Sequence, residues 1–235
     1  MNIAPERLQE HGYYLFARFE FEELIDVISG ELRRRTPHMV AYWALLAVFA
    51  AGALGTSVVV ARSAVWVPFG GALAAVAGMI PVIPLHELLH ALAFRIRGAR
   101  RIRFGARLRY LMFYAIARDF VADYREMLFI LYLPAAVISL AIVGAALILG
   151  LEPATAAGLT EFVGGSGEGA FVPVVVSALS WLGFIHWSAC AGDAALASYM
   201  WRHRHLGIVT GDEGEHLVTS FYVRTPVGTA VPLLR

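Results

Sequence analysis

The sequence contains no lysine: all 19 of its basic residues are arginine. It holds one asparagine, Asn2, and one glutamine, Gln9, a bias that reflects genome composition more than mechanism. A single cysteine, Cys190, excludes an internal disulfide and any all-cysteine zinc site. Charge is also scarce, at 16% of residues against 59% hydrophobic, and the mean hydropathy is +0.65. A soluble domain of 235 residues would be more polar, so an integral membrane protein is expected. The first residues, MNIAPERLQEHGYY, carry no charged segment followed by an apolar one. No cleavable signal peptide is therefore expected.

What is abundant is long apolar sequence. Crossing a bilayer as a helix takes about 20 residues, and four stretches suffice: 39–61, 64–94, 127–151 and 170–201. The second is overlong and interrupted by Pro68, Pro81 and Pro84. Arginine placement suggests their orientation. Arg33, Arg34 and Arg35 precede the first span, seven arginines fall in 95–109, and Arg202, Arg204 and Arg224 follow the fourth span. The remaining two connections hold only Arg62, and Glu152, Glu161 and Glu168, respectively. The positive-inside rule then predicts a multi-pass protein of the cell membrane with both termini and 95–126 in the cytoplasm. The fold class expected is all-α, a polytopic membrane protein with about four transmembrane helices.

Because the arginine runs abut spans, they read as contacts with the lipid bilayer and its anionic headgroups, not with nucleic acid. Residues 1–36 include FARFEFEELIDVISGELRRR, which predicts an amphipathic cytoplasmic helix on the membrane or on the core. Glycine-rich 152–169 predicts a flexible external connection. Residues 99–117, ARRIRFGARLRYLMFYAIA, partly alternate between basic and apolar side chains. That pattern suits a small cytoplasmic β-hairpin or edge strand with a turn near Gly105, or else a basic linker.

The chemistry concentrates in PVIPLHELLHALAF, residues 81–94. His86 and His90 are four residues apart, share one helix face and can grip one ion. Glu87 lies about 100° around the helix, where it can reach a metal-bound water instead of the metal. Leu85, Leu88, Leu89, Ala91, Leu92 and Ala93 surround them in sequence and would keep such a site dry. In this composition the His-Glu-x-x-His spacing arises by chance in roughly one or two chains per hundred. Position adds weight, because ionisable residues in a span cost a few kcal/mol each unless paired or metal-bound.

A catalytic zinc takes three protein ligands and a water. The fourth span offers His186, Cys190 and Asp193 on one face. Asp193 lies nine residues before Arg202, and His86 nine before Arg95. Each therefore stands about 13 Å above its arginine boundary. Both spans run inward, so Asp193 is level with the histidines. Gly192 and alanines 189, 191, 194, 195 and 197 let this helix approach a neighbour closely. Cys190 is the alternative ligand. His186 suits a role in orienting a ligand, in stabilising an oxyanion, or in packing. Pro81 and Pro84 could kink the second span and admit water, or only shape its packing. Arg118, Asp119, Asp123 and Arg125 read as a solvated face.

HELLHALAF in a span, followed by IRFG, ILYLPAAVI and AGDAALA, resembles the membrane-bound zincin peptidase family over roughly 80–225. More distantly the chain is similar to the site-2 proteases, which cleave substrates within the membrane. The resemblance implies a single membrane-embedded zincin-like domain over 1–235, Zn2+ as cofactor, and a peptide or membrane-protein substrate. It implies His86, His90 and Asp193 as metal ligands and Glu87 as catalytic base. Site-2 proteases typically place an Asn near the Asp, whereas here Gly192 precedes Asp193 and the only Asn is Asn2. The resemblance therefore assigns no oxyanion donor. The function expected is a zinc metallopeptidase acting near the cytoplasmic membrane boundary, with 99–117 holding substrate as an added strand. The alternative is a membrane protein that binds or transports a metal ion without catalysis.

Overall fold

The computed structural model describes residues 7–61, 65–107, 112–151, 171–213 and 218–224. Arg62 and the connection 152–169, both used above to orient the chain, lie outside the described residues. In chain order the elements are β1 (Tyr13–Phe19), α1 (Phe21–Leu32), α2 (Pro37–Ala61), α3 (Val67–Ile96), β2 (Arg101–Arg107) and β3 (Met112–Arg118). They continue with β4 (Ala122–Asp123), α4 (Tyr124–Leu151), α5 (Phe171–Ala189), α6 (Ala191–His203), β5 (Val209–Glu213) and β6 (Val218–Arg224).

The chain is mostly helical, and among the described residues four helices are long and apolar enough to cross a membrane: Pro37–Ala61, Val67–Ile96, Tyr124–Leu149 and Val172–Ala189. They turn large apolar side chains outward, with Phe69 75% and Leu140 72% exposed. Water does not favour such surfaces and lipid does. Helix α3 runs unbroken through Pro81 and Pro84.

The strands extend the expectation of an all-α fold. Strands β2 and β3 form the antiparallel hairpin that the alternation in 99–117 suggested. Gly105 is not its turn. It lies within β2 opposite Tyr114, and a Cβ there would come within 2.3 Å of the Tyr114 hydroxyl. The aromatic ring fills the space left by the missing side chain, as aromatic residues do opposite strand glycines. A second sheet has the antiparallel order β1-β6-β5-β4. Among the described residues of this segment, 7–36, only 21–32 are α-helical, and YYLFARF is instead β1, paired with β6.

The fourth span also differs from expectation. The run 170–201 is two helices, divided at Cys190. The Cys190 amide donates to both the His186 carbonyl at 3.2 Å and the Trp187 carbonyl at 3.1 Å. Sharing the proton with the i−3 carbonyl tightens the last turn of α5, and the chain restarts as α6.

The chain divides into two compact units. One comprises 41–84 and 135–190, and is helical. Its helices meet over small residues: a Cβ on Gly71 would come within 2.3 Å of Ser177 Oγ, and one on Gly183 within 2.7 Å of the Phe49 ring. Two indoles lock the same helices, Trp181 Nε1 donating to Ser57 Oγ and Trp187 Nε1 to the Tyr42 carbonyl, both at 3.0 Å.

The other unit comprises 1–40, 85–134 and 191–235. Its core gathers Phe94 of α3, Ile130 and Leu131 of α4, Tyr199 and Met200 of α6, and Phe221 of β6. Helix α1 begins with a reciprocal cap, Glu20 to the Glu23 amide and Glu23 back to the Glu20 amide. It ends in an ionic latch on α6. Glu31, only 2% exposed, accepts from Ser198 Oγ at 2.6 Å, from Arg202, and from Arg34 at 3.1 Å. Thr36 Oγ1 bonds Ser198 Oγ at 2.8 Å and accepts the Met39 amide, so the same cluster caps α2. Helix α4 starts with a second reciprocal cap, Asp123 with Glu126.

Candidate metal centre

The second unit holds the chemistry-bearing residues. His86 and His90 project from one face of α3 with Nε2 atoms 3.0 Å apart. Helix α6 brings Asp193 to both: Oδ2 is 3.3 Å from His86 Nε2, and Oδ1 is 3.5 Å from His90 Nε2. These side chains are only 13%, 10% and 20% exposed. Two ligands each about 2.05 Å from a tetrahedral ion stand about 3.3 Å apart. The separations of 3.0, 3.3 and 3.5 Å, the latter two made by different oxygens of the Asp193 carboxylate, lie around that value. Two imidazoles and a carboxylate are also a donor set that catalytic zinc uses, so the residues present fit the ion. Asp193 stands in the first turn of α6, where the helix dipole favours a negative group.

The carboxylate of Glu87 lies within 4.8 Å of the histidine nitrogens. It accepts a backbone hydrogen bond from Ala115 in β3, which ties the motif helix to the hairpin. On its other ring nitrogen, His90 Nδ1 is 2.9 Å from the Ile130 carbonyl oxygen in α4. A carbonyl only accepts, so Nδ1 carries the proton, and in the neutral ring the Nε2 lone pair would face the cluster.

The apolar shell expected around the histidines is only partly present. Leu85, Leu88 and Leu92 are 45%, 56% and 49% exposed. At 100° per residue they form a stripe on another face of α3 and do not close over the histidines. Ala91 and Ala93 of the expected apolar shell are buried. His186 and Cys190 belong to the first unit, where both are buried and Sγ lies 3.9 Å from His186 Nε2. Of the expected solvated face, Asp119 forms an exposed pair with Arg101 at 3.1 Å, and Asp123 caps α4.

The structure also places residues near the cluster that sequence reasoning missed. Tyr132 of α4 is within electrostatic reach of Asp193, and its hydroxyl is 2.9 Å from His38 Nδ1. His38 Nε2 is in turn 2.9 Å from the Tyr124 hydroxyl. The available signal was polarity in an apolar context: one tyrosine in ILYLPAAVI and one histidine at the head of a span.

A family model described as "Putative zincin peptidase" matches residues 79–205, more than half of the chain. The matched segment includes the motif, the hairpin, the whole of α4 and α5, and α6 with Asp193. No curated protein and no solved structure matches.

Proposed function

Since the chain belongs to this family of putative zincin peptidases, we propose that it is an integral membrane zinc metallopeptidase hydrolysing peptide bonds near the cytoplasmic face of the cell membrane. The observation that supports this reading is the triangle of His86 Nε2, His90 Nε2 and the Asp193 carboxylate, with edges of 3.0–3.5 Å and Glu87 beside it. His86, His90 and Asp193 would hold the ion. When bound, zinc acts as a Lewis acid that polarises a carbonyl and lowers the pKa of a coordinated water towards 7. Glu87 accepts a proton from the attacking water and returns it to the amide nitrogen as the C–N bond breaks. The substrate is a peptide or membrane protein, and the chain passes through the bilayer several times with both termini cytoplasmic.

The hairpin supplies a means of holding substrate. Among the described residues β3 pairs with β2 alone, and its Ala115 amide reaches Glu87. A substrate strand added to this edge would lie beside the base, its main chain fixed by ladder hydrogen bonds.

The test is zinc content and hydrolysis of the purified protein compared with Glu87→Gln. The substitution keeps the size of the side chain and removes its basicity. Zinc should remain stoichiometric while hydrolysis falls by about 10²–10⁴-fold or more. Full activity in Glu87→Gln would overturn the mechanism. Zinc binding with no hydrolysis by the wild type would point to a protein that only binds or moves the ion.

A further inference from the structure

Helix α4 continues from Tyr124 to Leu151 with Pro134 in its interior. In an α-helix the carbonyl of residue i accepts from the amide of residue i+4. Proline has no amide proton, so the Ile130 carbonyl has no donor at position 134. This carbonyl is buried: Ile130 is 1% exposed, and Pro134 is among the fully buried side chains. Water is poorly placed to replace the missing donor, and an unpaired buried carbonyl is costly. The group that bonds it is His90, whose Nδ1 stands 2.9 Å from the oxygen.

We propose that Pro134 is a positioning residue for the metal centre: by withholding an amide proton from the Ile130 carbonyl, it reserves that carbonyl for His90 Nδ1–H. The bond fixes the His90 tautomer, sets the ring plane and turns Nε2 toward His86 and Asp193. Any other residue at 134 would offer its own amide to the same oxygen, and His90 would share or lose its anchor. Metal-binding histidines depend on such outer partners, and losing one typically weakens metal affinity by about 10–100-fold. The consequence for metal rests on the reading of His90 as a ligand. The carbonyl bond itself does not.

Two measurements on the full chain in lipid nanodiscs test this. The first is zinc affinity, by competition with a chelator, for the wild type, Pro134→Ala, and a variant carrying lactic acid at 134. Lactic acid has the alanine side chain but an ester oxygen in place of the amide. Pro134→Ala should bind zinc about 10–100-fold more weakly. The lactic acid variant, which lacks the competing proton as proline does, should bind close to wild type. Wild-type affinity in Pro134→Ala, or equal weakness in the ester, would overturn the proposal, the latter by assigning the effect to the proline ring. The second is the ¹³C shift of the Ile130 carbonyl in metal-free protein. His90→Phe should move it in the Pro134 background and leave it nearly unchanged in Pro134→Ala. No movement in the Pro134 background would overturn the proposal. If the wild type binds no zinc, the metallopeptidase reading fails and the carbonyl shift alone decides the role of Pro134.

Discussion

Asp193 differs from the two histidines in its source of order. His86 and His90 are placed by helical spacing alone, whereas Asp193 arrives from α6 and meets them at 3.3 and 3.5 Å. Its charge is the only negative one among the three proposed ligands. Asp193→Asn keeps the shape of the side chain and removes that charge. Zinc affinity should then fall by more than the roughly 10–100-fold typical of losing an outer partner, read by chelator competition. Wild-type affinity would remove Asp193 from the ligand set. Gly105 poses a steric question. A Cβ there would meet the Tyr114 hydroxyl at 2.3 Å and its ring at 2.4 Å, so Gly105→Ala must displace that side chain. The expected loss is about 1–3 kcal/mol, typical of overpacking, and thermal unfolding in detergent would measure it. Ala115 adjoins Tyr114, so hydrolysis should fall as well.

At the scale of elements, α1 is secured to α6 by a buried carboxylate. Glu31 is 3% exposed at its side chain, while Arg202 and Arg34 are 29% and 51% exposed. Removing one partner of a buried pair strands the other, whereas exposed partners can be rehydrated. Glu31→Ala leaves arginines that can turn to water, so the expected cost is about 2–3 kcal/mol, below the full range for buried pairs. It would appear as a lowered unfolding midpoint and as earlier proteolysis within 20–36. An unchanged midpoint would show that α1 contributes little. The β3 edge has its own test. Phe113→Pro removes one donor from the edge that Phe113 shares with Ala115 by strand alternation, and should reduce hydrolysis while leaving zinc content unchanged. Undiminished cleavage would dismiss strand addition as the mode of substrate binding.

At the scale of the whole molecule, the proposed topology places the termini and the hairpin on the cytoplasmic side. Cysteines introduced at 103 and 205 in a Cys190→Ala background should react with a membrane-impermeant thiol reagent only after the cells are opened. A cysteine at 160 should react in intact cells. Labelling of all three in intact cells would contradict the arginine-based orientation. Removing metal with a chelator should abolish hydrolysis and readdition of zinc should restore it, with no change in topology.

Much of the architecture was legible because its causes are local. A span needs only enough consecutive apolar residues, and those are read directly. The spacing of His86, Glu87 and His90 needs only the helical period. The β2–β3 alternation repeats every two residues. Other features have causes distributed along the chain. Strand β1 pairs with β6, whose residues lie some two hundred positions away, and no pattern within YYLFARF names that partner. The division at Cys190 falls inside an apolar run whose one proline, Pro173, stands near its start, so hydropathy has no punctuation at the break. The matched nine-residue offsets treated 170–201 as one straight helix. The histidines and Asp193 are nevertheless brought together, now by α6 alone.

The sequence by itself therefore determined the four apolar helices and the local layout of the candidate site: composition supplies runs long and apolar enough to cross a bilayer, and helical spacing puts two imidazoles on one face with a carboxylate beside them. Only the tertiary structure decided how that site is completed. The Asp193 carboxylate, the Ala115 amide and the Ile130 carbonyl come from three separate elements. Their convergence depends on packing and on which hydrogen-bonding groups each helix leaves unused. A proline in the sequence announces a missing amide, but only the fold shows that a histidine takes its place.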